Sequence, residues 1–271
     1  IGILGYMQTP DDNSLKDIFS DISGAGVEAT IYSTETYLPI ETNAQYIFEL
    51  LKDDLRQGKD LIVITASKGT AEMIGALAKY NELIERNPGD FGRIKGMINF
   101  SGLMQGSFVA DWATAHWSHL EIAKIILEQY AASEEGIEID DVRPGLKSLT
   151  TKAVAEYMEK YLPLIPKDIP YYNVAGIVPD YGFAEFAPLK ALQQYMINTS
   201  IFPQPGANDG LVEYPGVVIP EQWMKRSYDF TVDADHSIVL GSMYGVPLAV
   251  NENRRLVVLS LLHLLVDDIN H

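Results

Sequence analysis

An α/β fold, a three-layer sandwich around a mostly parallel sheet, is predicted for this chain by three observations. Short apolar, β-forming runs alternate with helical patterns along most of the 271 residues. The run Leu61 to Ile64 passes through small residues around Ser67 straight into a helical pattern, with no polar linker between them. The chain is 47% hydrophobic, enough for one large core or two small ones. Strands that alternate with helices imply parallel pairing with helices on both faces.

In chain order, Ile1–Tyr6 predicts the first strand and Val27–Tyr32 the second. Thr42 to Leu55 predicts a helix with Ile47, Leu50, Leu51 and Leu55 on one side, capped by Thr42 or Asn43. Asp60–Ile64 is the third strand. The helix after it runs to about Leu83, with Met73, Ile74, Leu77 and Ala78 sharing a face. Lys95–Phe100, Pro170–Ala175 and Tyr228–Asp233 predict the fourth, fifth and sixth strands, and Asn253–Asn270 the last helix.

The alternation breaks between Gly102 and Ile169. Two helical patterns stand there, Phe108 to Ala131 and Leu149 to Leu162, joined by the acidic stretch Ser133 to Arg143. The expected organisation is a core in two parts, residues 1–103 and 169–271, with 104–168 as a helical cap or lid insertion over one end of the sheet. A packing decoration without a gate is the alternative. The insertion's Phe108, Trp112, Trp117, Tyr157, Tyr161, Leu162, Leu164 and Ile165 could line an acyl pocket or form the insertion's own core.

A net charge of −17, from 37 acidic and 20 basic residues, argues against nucleic acid and anionic membrane surfaces as partners. No apolar run approaches the ~18 residues of a membrane span, and Leu256 to Val266 reads as a packed terminal helix. With no cysteine, thiol catalysis and disulfides are excluded, which does not choose a compartment. Ile1 begins inside an expected strand, which fits either a trimmed chain or removal of a leader. The compartment is left unassigned, with secretion or the periplasm slightly favoured over the cytosol.

Ser67 stands where a buried strand meets a helix, with Gly69 two residues on, which is how a nucleophile elbow reads. A serine nucleophile needs a base, a carboxylate to orient that base, and two N–H groups aimed at the oxyanion. His236 is the candidate base, in the loop after the last strand. The other histidines fit less well. His271 is terminal and His263 lies in an apolar helix. His116 and His119, with Asp111 or Glu121, offer a metal pair without an evident third ligand, so no metal is expected. Asp209, on the turn-rich Gly206–Val212, and Asp180, after the fifth strand, both satisfy the order serine, acid, histidine. The backbone amides of Tyr6 and Lys68 are the expected oxyanion donors, with Gly5 allowing a close turn.

Together these residues resemble the α/β-hydrolase superfamily and, within it, the bacterial lipases and carboxylesterases. Thr65-Ala-Ser-Lys-Gly69 is similar to the G-x-S-x-G elbow, and Leu4-Gly-Tyr6 to the lipase His-Gly-X oxyanion segment. Gln105–Trp112 resembles the segment that follows the next strand in those lipases, and Pro170–Gly176 the strand after it. Asn208–Val212 resembles the loop carrying their triad acid, which favours Asp209 over Asp180. Two positions depart from the pattern: Thr65 replaces the first elbow glycine, and Leu4 the histidine. The resemblance implies six parallel strands in the order second, first, third, fourth, fifth, sixth, without the first two strands of the full fold.

The expected activity is hydrolysis of carboxylic esters, lipid or acyl esters ahead of peptides, through Ser67, His236 and Asp209, with no cofactor and a small-molecule or lipid ester as the binding partner. The alternative is a non-catalytic protein of the same fold that binds a ligand or partner, for which Thr65 and Leu4 are the supporting features.

Overall fold

The computed structural model describes residues 2–3, 22–23, 28–35, 37–117, 139–177, 209, 212, 217–219, 226–232 and 248–271. Its strands are β1 (Gly2–Ile3), β2 (Ile31–Tyr32), β3 (Leu61–Ala66), β4 (Ile94–Phe100), β5 (Tyr171–Gly176) and β6 (Ser227–Val232). Among the described residues they form one sheet in the order β2-β1-β3-β4-β5-β6, and every pairing is parallel. The α/β class and the parallel sheet therefore hold.

The helices are α1 (Ile40–Arg56), α2 (Lys68–Arg86), α3 (Phe108–Ala115), α4 (Ile139–Ser148), α5 (Thr151–Tyr161) and α6 (Leu248–Asn270), with a 3₁₀ turn at Leu162–Leu164. Side-chain alternation along the strands sorts the interior into two layers. Val63, Met97, Tyr171 and Ala175 face α1 and α2 in the larger core, which also takes up Trp112, Tyr157, Tyr161 and Ile165. Ile64, Ile98, Tyr172 and Val174 face the other way, against Val258, Leu261 and Leu265 of α6. Apolar residues on both sides of the central strands are what a parallel sheet covered by helices requires.

Two expectations need correction. Neither Thr42 nor Asn43 caps α1: the helix begins at Ile40 behind an extended Pro39, with no side-chain cap. Asn43 is buried, and its amide donates to Glu35 O and Glu72 Oε1. The helix expected from Phe108 ends at Ala115. His116 closes it, its backbone N–H donating to Trp112 O and its Nδ1 lying 2.9 Å from the same carbonyl.

Within 104–168, α3 starts on a Ser107 cap and α5 on a Thr150 cap, each side chain accepting a backbone N–H. The Asp111 carboxylate accepts from the Thr151 N–H at 2.9 Å and from the Thr151 hydroxyl at 2.7 Å, tying α3 to the start of α5. Of the residues expected to line an acyl pocket or form the insertion's own core, Trp112, Tyr157, Tyr161, Leu162 and Ile165 are all buried in the larger core. Leu164 is exposed.

Candidate functional site

At the junction of β3 and α2, Ser67 adopts φ 49° and ψ −124°. A non-glycine residue reaches this region only when its surroundings impose it, at a cost of about 1–3 kcal/mol. Hydrogen bonds from two directions impose it here. The Ser67 N–H donates to Phe100 O of β4 at 2.9 Å, and the Ser67 carbonyl accepts from Thr70 N and Leu103 N, each at 3.1 Å. Ser67 precedes the first residue of α2, where a serine ordinarily caps, yet its hydroxyl makes no cap. The residue is 8% exposed.

The neighbouring strand ends in the same way. Ser101, directly after β4, has φ 45°. Its turn lets the chain contact Ser67 twice, through Phe100 O and then Leu103 N–H. The hydroxyl of Ser101 is buried and makes no hydrogen bond among the described residues. Two adjacent parallel strands thus finish in strained serines at the carboxyl edge, where open α/β sheets place their ligands.

Beyond the backbone amide expected to serve the oxyanion, the Lys68 side chain anchors the start of α2. It is 1% exposed, and its ammonium lies 3.0 Å from Glu72 Oε1, one helical turn on. Nζ also donates to Leu38 O at 2.7 Å and Glu35 O at 3.3 Å. Glu72 is fully buried and accepts from Asn43 Nδ2 at 2.7 Å and from the Thr34 hydroxyl at 2.8 Å. Burial pushes the Lys68 ammonium below the ordinary lysine value, and the Glu72 charge opposes that shift. A buried ion pair survives desolvation only with such additional hydrogen bonds. The cluster ties Thr34, Glu35, Leu38 and, through Asn43, α1 to the first turn of α2.

Asp209 is fully buried and bonded to Val212. Its N–H donates to Val212 O at 3.1 Å, and its Oδ1 accepts from Val212 N at 2.8 Å. His236, Asp180, Tyr6 and His119 lie outside the described residues. Of the remaining histidines, His116 stacks on Trp112 and His263 is surface-exposed, 3.6 Å from Asp267. Among the described residues, no group of three or more histidine and carboxylate side chains could hold a metal ion, and no helix is long and apolar enough to cross a membrane.

Beyond Leu103 an open groove of about 530 Å³ runs between the β4 exit and α5. Met104, Ala155, Met158 and Leu162 give it an apolar floor, and Gln105, Thr151 and Lys152 a polar margin. Gly106, at φ 84°, brings the two walls together, since a Cβ there would sit 2.5 Å from Thr151 Cα.

No protein-family model matches the chain, and no curated protein matches it in sequence. Solved structures do match. A metagenomic carboxyl esterase superposes with a TM-score of 0.68 at 17% identity, over 99% of this chain and 76% of that one. The mature form of a Bacillus licheniformis lipase gives 0.63 at 17% identity, over 88% and 84% of the two chains. EstA from Clostridium botulinum gives 0.53 at 12% identity, over 94% and 86%. In fold, this chain resembles the α/β-hydrolase-like bacterial lipases and esterases.

Proposed function

We propose that the protein is a serine hydrolase of carboxylic esters, with Ser67 as nucleophile, His236 as general base and Asp209 as the carboxylate that orients it. The conformation of Ser67 carries this reading. A serine held at φ 49° between strand and helix, its hydroxyl not spent on capping, is the backbone state a nucleophile elbow requires. The burial of Asp209 and its hydrogen bonds with Val212 support it as the acid. Ser67 attacks the ester carbonyl while His236 takes its proton, and the Lys68 and Tyr6 amides receive the oxyanion. The protonated histidine then gives its proton to the leaving alcohol, and water hydrolyses the acyl-enzyme.

The groove beside the β4 exit suits an acyl chain, with methylenes over Met104 and Met158. Residues 104–168 would then act as a cap, α5 forming one wall of the substrate channel. The test is Ser67→Ala assayed on p-nitrophenyl esters ranging from acetate to palmitate. Turnover falls by about 10⁴-fold or more, and the parent profile peaks above acetate. Parental turnover in Ser67→Ala contradicts the proposal, and a profile peaking at acetate contradicts the acyl-chain reading.

A further inference from the structure

Beneath Ser67, a row of buried polar side chains crosses β3, β4 and β5 and ends on Asp229, exposed on β6. Thr65, Asn99 and Asn173 are at most 1% exposed. Thr65 pairs in register with Asn99, Asn99 with Asn173, and Asn173 with Asp229, so one residue from each of β3, β4, β5 and β6 meets its neighbour on the same face. Every contact is a hydrogen bond. The Thr65 hydroxyl donates to Asn99 Oδ1 at 2.7 Å, and Asn99 Nδ2 donates to Asn173 Oδ1 at 2.8 Å. Asn173 Nδ2 donates to Asp229 Oδ1 at 2.8 Å and to Ser227 Oγ at 3.1 Å.

The ladder extends into α2. Thr65 Oγ1 and Thr70 Oγ1 lie 2.8 Å apart. Because Thr65 spends its single proton on Asn99, Thr70 must be the donor. All the donors therefore point one way, from the first turn of α2 to the carboxylate on β6, an alignment in which successive bonds polarise one another. Such a row is costly when incomplete and specifies a single arrangement when satisfied.

The crowding at this elbow is resolved on another strand. Thr65, two positions before Ser67, carries a β-branched side chain, and its hydroxyl meets Thr70 by hydrogen bonding. Room for Thr70 comes from Gly102 at the β4 exit, where a Cβ would lie 2.7 Å from Thr70 Cγ2.

We propose that Thr65 is a positioning residue for Ser67, which fixes the elbow by locking the first turn of α2 to strand β3 and β3 in register to β4, β5 and β6. This rests on the ester-hydrolase reading of Ser67. Position 65 then works in the sense opposite to a glycine elbow: Thr65→Gly, which restores the small residue, impairs the enzyme.

The experiment compares the parent with Thr65→Gly, Thr65→Val, Thr65→Ser and Thr70→Val, and with Leu51→Ala as a destabilised core control away from the ladder. Melting temperature, kcat and KM on p-nitrophenyl butyrate, and the rate of fluorophosphonate labelling are measured. Thr65→Gly, Thr65→Val and Thr70→Val lose about 10- to 100-fold in kcat and in labelling rate, as expected of a nucleophile displaced by a fraction of an ångström, with KM nearly constant. Thr65→Ser keeps the hydroxyl and stays near parental kcat, and Leu51→Ala melts lower without losing kcat. Thr70→Val breaks the same link from the helix, so the test stands even if a variant at position 65 does not fold. Parental kcat in Thr65→Gly, or in Thr70→Val, overturns the proposal, as does a serine variant no better than the valine. A parent that turns over no ester fails the hydrolase reading itself; an active parent with an unaffected Thr65→Gly fails only the positioning role.

Discussion

Ser67 and Lys68 are adjacent in sequence, and their side chains are put to opposite uses. Ser67 sits in a strained backbone at the strand–helix turn, while Lys68 is driven into the core to meet Glu72. Lys68→Met leaves the Glu72 carboxylate buried and unpaired, and should cost about 3–5 kcal/mol in urea denaturation. Lys68→Met with Glu72→Met should recover only part of that, because the Thr34 and Asn43 donors and the Leu38 carbonyl still lose a partner. Full recovery would show that Thr34 and Leu38 are held by other contacts. The strand-to-helix junction announces Ser67 from its neighbours in sequence. Nothing local announces that Lys68 is buried, since its partners Leu38 and Glu72 come together only once α1 packs on α2. A signal for the ladder did exist: Asn99 and Asn173 stand within two apolar strands, where an asparagine is unexpected unless paired.

Elements were legible where a single period dominates. β4, β5 and the α2 pattern fall close to their predicted bounds, because each is apolar on the faces that meet the two cores. The start of α1 and the end of α3 were not, because tertiary contacts of Asn43 and the local closure by His116 decide them. Close helix packing explains another detail. Gly75 of α2 lies under the Tyr157 hydroxyl of α5, and a Cβ there would fall 2.0 Å from that oxygen and 2.9 Å from Ala44 Cβ of α1. Gly75→Ala should therefore destabilise by about 1–3 kcal/mol despite its better helix propensity, and Tyr157→Phe in the same chain should return part of the loss in thermal melts. Glu41 joins α1 to α5 through Lys160 Nζ at 2.7 Å and the Tyr161 hydroxyl at 2.5 Å. Those two hydrogen bonds, Lys160's first, hold its carboxyl below the ordinary carboxylate value. A depressed folded-state pKa gives stability that is present above the ordinary value of ~4.3 and is lost as pH falls through the folded value. The pair is exposed, so solvent screening keeps the effect small. Glu41→Gln should flatten the acid limb of the stability profile below about pH 5, and an unchanged acid limb would show that the pair contributes nothing.

At the scale of the whole molecule, the arrangement is a parallel sheet whose carboxyl edge carries Ser67 and Ser101 on adjacent strands. A net charge of −17 makes self-repulsion a term in its stability. Raising salt from about 10 to 150 mM shortens the Debye length from ~30 to ~8 Å and should raise the melting temperature; an unchanged or lower value would show that attractive pairs dominate. The central claim is that Ser67 is held ready to react. Incubating the folded protein with a fluorophosphonate and mapping the adduct by peptide mass spectrometry tests it most directly. One stoichiometric adduct on Ser67, absent in Ser67→Ala and abolished by prior unfolding, is the result predicted here. No adduct, or an adduct on another serine, would contradict it and leave the fold serving a non-catalytic binding role.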